Sequence, residues 1–266
     1  MDSKANILEV QNLKVHFPIK KGVFSRTVGY VKAVDGISFV LKRGETLGVV
    51  GESGCGKSTT SRAILGLNKT CGGDILFDGE PLSKMNAKTR ARKIQVVFQD
   101  PMASLNPRHT IREILTEGMI YHGLCEKSDS RAKAAALLED VGLPESMLDR
   151  YPHEFSGGQR QRICIARAIA LKPELLICDE AVSALDLSIR AQVLDLLAEL
   201  KKKLHLSFLF ITHDIGVVQH VADRIIVMNR GKIVEQGTCL EVLGKPKEEY
   251  TKRLMAAVPK IGKPLV

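Results

Sequence analysis

Gly51-Glu52-Ser53-Gly54-Cys55-Gly56-Lys57-Ser58 fits the pattern GxxxxGK[ST] in full. It stands between a short apolar run, Thr46 to Gly51, and a segment of helical spacing, Ser58 to Leu67. The glycines let the backbone wrap closely, so that successive N–H groups point at phosphate oxygens. The helix that follows adds the positive end of its dipole. Lys57 supplies a cation for β- and γ-phosphates, and the Ser58 hydroxyl can ligand Mg²⁺. A glycine-rich turn that only joined strand to helix would explain neither of those two residues. The stretch predicts an α/β fold around a nucleotide phosphate site contacted by Gly51, Glu52, Ser53, Gly54, Cys55, Gly56, Lys57, Ser58 and Thr59.

Further compact apolar runs, Ile94 to Phe98, Leu175 to Asp179 and Ser207 to Thr212, read as strands of a buried parallel sheet. Leu175-Leu176-Ile177-Cys178-Asp179-Glu180 ends in two carboxylates, for which a buried strand has no folding reason, because unpaired buried charge is costly. Beside a phosphate loop the pair has a use. Asp179 would hold Mg²⁺, directly or through water, and Glu180 would polarise the attacking water. Taken alone, an acidic pair after a strand is more often a solvated strand end.

Leu8 to Phe17 and Val31 to Leu41 alternate as half-buried strands do, and the residues from Pro18 to Tyr30 read as a basic loop. Ile111 to Leu148 is rich in helix formers and reads as a helical insertion. Leu187 to Lys203 is a further amphipathic helix, whose closing Lys201-Lys202-Lys203 suits a solvated helix end. Arg224 to Met228 and Lys232 to Gln236 flank a glycine-containing turn and read as a hairpin. The tail beyond Lys245 reads as a short helix and then loose chain around Pro259 and Pro264.

The 266 residues suit one large α/β domain with an inserted subdomain. No apolar run approaches the roughly 20 residues of a membrane-crossing helix, and the first residues lack the apolar stretch of a signal peptide. Six scattered cysteines form no CxxC pair, so reduced thiols in packed positions are expected rather than a disulfide or zinc framework. The net charge of +9 permits nucleic acid or anionic lipid as a neighbour but selects neither.

Phe155-Ser156-Gly157-Gly158-Gln159 contains the SGGQ signature of ABC ATPases. The order phosphate loop, Gln99, signature, Asp179-Glu180, Ser183-Ala184-Leu185-Asp186, then His213 is similar to that family from about Leu8 to Pro259. The resemblance implies a P-loop NTPase (RecA-like) ABC ATPase core with an N-terminal antiparallel β subdomain and an inserted α-helical subdomain. Residues 1–100 and 157–245 would form the core, 101–156 the helical subdomain, and 246–266 a short tail. It further implies that Ser156, Gly157, Gly158 and Gln159 face the ATP held by an opposite subunit. Physically, the N–H groups of Ser156 and Gly157 and the Ser156 hydroxyl at a helix start make a second anion site. Gln99 resembles the glutamine that contacts Mg²⁺ and water, His213 the histidine that contacts the γ-phosphate, and Asp186 the aspartate that couples two sites. For adenine the family uses an aromatic ring near the N-terminus, here Phe17, with Tyr30 and His16 as rivals.

Several segments resemble peptide and nickel importer ATPases in particular, among them His16 to Gly22, Val31 to Gly36, Gln99 to Arg108, Arg150 to Phe155 and Ser188 to Val193. Import of di- or oligopeptides is therefore expected, with nickel or a metal chelate as the alternative cargo. The implied partners are a second, related "D-type" ATPase, two membrane permeases and an extracytoplasmic binding protein. ATP and Mg²⁺ are the implied ligands, and the cytoplasmic face of the membrane the implied location. Two departures bear on the cargo: Ala181 stands where many peptide-type members have proline, and no cysteine cluster follows Cys239, so no iron–sulfur cluster is expected. A DNA-repair or ribosome-associated ATPase is disfavoured, because tandem motifs, zinc modules and long coiled coils are missing, and no nucleic acid is expected.

Overall fold

The computed structural model describes residues 5–22 and 25–256. From the N-terminus come β1 (Asn6–Lys21), β2 (Arg26–Lys42), β3 (Thr46–Val50), α1 (Lys57–Ile64), β4 (Gly72–Phe77) and β5 (Glu80–Pro81). The middle holds α2 (Ala87–Lys93), β6 (Ile94–Phe98), α3 (Pro101–Ser104), α4 (Ile111–Tyr121), α5 (Ser130–Asp140) and α6 (Gly157–Ile169). Then follow β7 (Leu175–Asp179), α7 (Leu187–Leu204), β8 (Ser207–Thr212), α8 (Ile215–Val221), β9 (Arg224–Asn229), β10 (Lys232–Thr238), α9 (Cys239–Gly244) and α10 (Glu249–Ala256). Pro259 and Pro264, and with them the loose chain expected at the end, lie outside the described residues.

The chain forms two compact units. One comprises Val40–Glu45 and Leu76–Leu209 with the start of β1; the other comprises Glu9–Phe39, Thr46–Ile75 and the chain from Phe210 onward.

In the second unit the basic loop expected from Pro18 to Tyr30 is instead the far end of a long strand pair. β1 runs to Lys21, β2 begins at Arg26, and Ser25 N–H closes the turn on Gly22 O at 3.0 Å. From Phe17 to Lys21 and from Arg26 to Val28 every described residue is exposed, so the alternation that marks a half-buried strand has nothing to select it. The sheet order here is β2-β1-β4. A second sheet runs β10-β9-β3-β8. β3 pairs with β9 in parallel from Leu47↔Arg224 to Val50↔Val227, and β9 and β10 form the expected hairpin. Val50, Val218, Ile225, Val227 and Val242 make a buried cluster against which Tyr250 and Leu254 of α10 pack. The start of α10 is anchored by the Glu235 carboxylate, which accepts the N–H groups of Lys247 and Glu248 at 2.9 and 3.2 Å.

In the first unit the sheet order is β8-β7-β6, and the insertion is helical as expected. α4 starts at a reciprocal cap in which Thr110 Oγ1 accepts Glu113 N–H and the Glu113 carboxylate accepts Thr110 N–H. Arg131 of α5 bridges Glu145 and Asp149 at 3.1 and 2.8 Å, which ties the helix to the segment before the signature. Phe77 is fully buried, a burial worth about 1.5–3 kcal/mol. The lysine run does close α7, and Lys203 Nζ lies 2.6 Å from Asp140. All six cysteines are free, but Cys71 is exposed rather than packed, because it lies in the turn that leads into β4.

Candidate functional site

The phosphate loop leaves a strand that is buried along its whole length, and its glycines answer to neighbours as well as to φ. A Cβ on Gly51 would lie 2.3 Å from Met228 O of β9, and one on Gly56 (φ 110°) would lie 2.3 Å from Ala33 O of β2. Gly54 (φ 78°) has nothing near it and is needed for its backbone angle alone. The loop curls around its own lysine: Lys57 Nζ donates to Gly51 O at 2.7 Å and Glu52 O at 2.9 Å, and the side chain is only 4% exposed. Cys55 Sγ lies 3.9 Å from the same ammonium, yet burial dominates and pushes its thiol up. From outside, Gly231 N–H donates to Cys55 O at 2.9 Å, and Glu52 N–H donates to the Tyr250 hydroxyl at 3.1 Å.

Gly56 precedes α1 without any side chain to satisfy the first-turn amides. Thr110, Ser156 and Asp186 each do this for their own helices. A concave turn of N–H groups at an uncapped helix start, with an ammonium inside it, has the chemistry of a phosphate cradle. Ser58 and Thr59 are half-buried in the first turn of α1. His213 follows β8, the hydrogen-bonded neighbour of β3, and is exposed; the next residue, Asp214, caps α8. Of the three adenine candidates, His16 is engaged by Asp35 at 3.2 Å, whereas Phe17 (42% exposed) and Tyr30 present open rings. Asp35 is held below the usual carboxylate range: its partial desolvation acts the other way but is outweighed by hydrogen bonds from His16 and Lys32.

The first unit gathers the acidic residues. β6 and β7 are parallel and in register to the pair Phe98↔Asp179, so Gln99 and Glu180 are the next residues beyond that pair, at the carboxyl ends of adjacent strands. That edge is where open α/β sheets bind ligands. Asp179 is 5% exposed, and its charge together with burial drives the neighbouring Cys178 thiol far up. Glu180 stands at φ 54°, a left-handed conformation that costs a side-chain-bearing residue about 1–2 kcal/mol. The turn is fixed by Glu180 O, which accepts both Ser183 N–H at 3.1 Å and Ser183 Oγ at 2.8 Å. Strain of this kind persists where the surroundings over-determine it, as at functional sites.

The signature opens α6 through another reciprocal cap. Ser156 Oγ accepts Gln159 N–H at 3.3 Å, and Gln159 Oε1 accepts Ser156 N–H at 3.0 Å. The expected anion donor Ser156 N–H is therefore already used, because Gln159 folds back onto it. The hydroxyl proton of Ser156 and the first-turn amides of Gly157 and Gly158 remain as the donors a helix start offers. The two glycines differ: a Cβ on Gly157 meets nothing within 4 Å, while one on Gly158 would lie 2.6 Å from Ile189 Cγ2 of α7. Asp186 caps α7 by accepting Ile189 N–H at 3.0 Å and the Ser188 hydroxyl at 2.9 Å, and these bonds hold its carboxyl below the usual range.

Sequence reasoning missed three residues. Gly231 and Tyr250 both grip the phosphate loop from a distance in sequence that no local pattern spans. Gln161 of α6 is fully buried, with no hydrogen-bond partner for either amide atom among the described residues. A polar residue two places after the signature, inside an otherwise apolar helical face, was the available signal.

Known proteins resemble this chain in sequence and fold. Residues 34–183 match the family model described as ABC transporter. The chain is 51% identical to the oligopeptide transport ATP-binding protein AppF of Bacillus subtilis, over 97% of this chain and 79% of that relative. It is 52% identical to the oligopeptide transport ATP-binding protein OppF of Escherichia coli, over 95% of this chain and 78% of the relative. Among solved structures, CbiO1 of Clostridium perfringens, part of the ABC transporter complex CbiONQ, superposes with a TM-score of 0.77 at 29% identity, covering 96% of this chain and 97% of that one. A strand-borne phosphate loop, two carboxylates at the end of a parallel strand, a capped SGGQ helix and this degree of kinship agree, and the chain belongs to the ABC transporter family of ATP-binding proteins.

Proposed function

We propose that this chain binds ATP with Mg²⁺ and hydrolyses it to energise the import of di- and oligopeptides. The observation that carries the nucleotide reading is the Lys57 ammonium, held by Gly51 O and Glu52 O at the mouth of the uncapped helix α1. A buried ammonium is costly unless it is paired, and a triphosphate supplies the pairing charge. Gly51 to Thr59 bind the phosphates, and the exposed ring of Phe17 stacks on adenine. Glu180 takes the proton of the water that attacks the γ-phosphorus, Gln99 orients that water, and His213 steadies the γ-phosphate as ADP leaves. Asp179, the Ser58 hydroxyl and Gln99 carry the hard oxygen ligands that magnesium prefers and would hold it, and the metal would neutralise charge on the phosphates.

Ser156, Gly157, Gly158 and Gln159 close over the ATP of a second ATPase subunit, a related D-type chain, and Asp186 links the two sites. Two permeases and an extracytoplasmic binding protein complete the complex, and the chain works on the cytoplasmic face of the membrane. No helix among the described residues is long and apolar enough to cross a membrane. The peptide cargo rests on the relatives named above, both oligopeptide transport proteins. The test is uptake in a strain deleted for this gene. Complementation should restore ATP-dependent uptake of a labelled peptide, and Glu180→Gln should abolish it. Restoration of nickel uptake without peptide uptake would replace the cargo assignment.

A further inference from the structure

One peptide plane of the phosphate loop is gripped at both ends. The carbonyl of the Gly51–Glu52 peptide accepts Lys57 Nζ at 2.7 Å, and the N–H of that same peptide donates to the Tyr250 hydroxyl at 3.1 Å. A trans peptide points its C=O and N–H in opposite directions, so a group that fixes one fixes the other. Glycine on the N-terminal side gives this plane unusual freedom to rotate. Tyr250 is well placed to resist that rotation. Its ring packs against the cluster of Val50, Val218, Ile225, Val227 and Val242, and its helix is anchored by Glu235 at Lys247 and Glu248, with Thr251 buried at 1% exposure. The hydroxyl therefore arrives at Glu52 on a rigid support nearly two hundred residues away in sequence.

We propose that Tyr250 is a positioning residue for ATP binding: it holds the Gly51–Glu52 peptide in the orientation that keeps the Lys57 ammonium in place for the phosphates. The proposal rests on the phosphate-site reading above and adds to it a control element in α10. A tyrosine that merely filled the hydrophobic cluster would make its contribution through the ring, and its hydroxyl would be dispensable.

The two roles separate in Tyr250→Phe, which keeps the ring and removes one oxygen. In the transporter assembled with its partner subunits, ATP affinity, KM and kcat would be measured beside thermal unfolding of the chain, with Lys57→Ala as a reference. The expected result for Tyr250→Phe is an increase of about three- to tenfold in Kd and KM for ATP, the loss typical of one hydrogen bond, with kcat within about twofold and little change in Tm. Tyr250→Ala should show the same affinity loss and a lowered Tm besides. Unchanged affinity in Tyr250→Phe, with or without a shift in Tm, while Lys57→Ala loses ATP binding, overturns the inference and leaves the phosphate site standing. Undiminished ATP binding by Lys57→Ala overturns the phosphate site, and the inference falls with it.

Discussion

Gly158 and Ile189 approach so closely that no side chain fits between them: a Cβ on the glycine would lie 2.6 Å from Ile189 Cγ2. Ile189 is β-branched and helical, so its methyl cannot swing aside cheaply. Gly158→Ala should destabilise the fold by about 1–3 kcal/mol, seen as a Tm lower by a few degrees in thermal unfolding. Gly157→Ala, with open space around it, should leave Tm unchanged and slow ATP turnover in the assembled transporter by on the order of tenfold, since the proposed function brings the partner's nucleotide to that face. Equal loss of stability in the two variants would mean that the glycines share one role.

Glu180 carries both a strained backbone and the reacting carboxylate in this reading. Glu180→Gln should retain ATP binding and lose phosphate release by about 10²–10⁴-fold, the usual contribution of a general base. Glu180→Gly should be equally inactive but more stable than Glu180→Gln by about 1 kcal/mol, because glycine accepts φ 54° without cost. Parallel chemical denaturation of the two variants checks this.

Asp186 has a plain structural job as the cap of α7 in addition to any part in coupling two ATP sites. Asparagine caps almost as well as aspartate, and alanine does not. Asp186→Ala should lower Tm by about 2–4 °C, while Asp186→Asn keeps it, so a fall in turnover in the asparagine variant at unchanged Tm would isolate the charge. The carboxyl titrates below its usual value because Ile189 N–H and Ser188 hydrogen-bond its charged form. Its contribution is present above the ordinary aspartate range and is lost as pH falls through the depressed value. The Tm gap between wild type and Asp186→Ala should narrow on acidification over that window.

The thiols should differ sharply in reactivity. Burial pushes Cys164 up to about 11, and burial with Asp179 pushes Cys178 further, so both are neutral and shielded at pH 8. Cys71 is exposed. Mass spectrometry after brief alkylation at pH 8 should find Cys71 modified first and Cys164 and Cys178 only after unfolding. Because the Cys164 value is raised, its contribution to stability holds below the unfolded value of 9.0 and is lost as pH climbs toward 11.

The parallel strands were legible because buried apolar runs end at residues with no place in a core: Val50 at the glycine loop, Asp179 at Glu180, Thr212 at His213. The hairpin arm was not, since Phe17 to Lys21 and Arg26 to Val28 are exposed and carry no burial period. α9 was missed although Thr238 and Glu241 spell its reciprocal cap, a signal of the same kind as Ser156 and Gln159. At the phosphate loop the sequence named candidates for phosphate contact but not the residues that hold the loop. Tyr250 and Gly231 act through contacts that only the folded chain creates, and a single backbone bond leaves no mark on composition or spacing.

The turn at Gly231 has one further consequence. Its N–H reaches Cys55 O at 2.9 Å and its carbonyl receives Asp35 N–H at 2.8 Å, while a Cβ added there would lie 2.9 Å from both Ala33 O and Lys32 O, which leaves no room for a larger residue. The hairpin thus acts as a spacer of fixed gauge. Lengthening it by one residue would carry both bonds out of alignment at once, so this short connection should tolerate insertions as poorly as the phosphate loop itself.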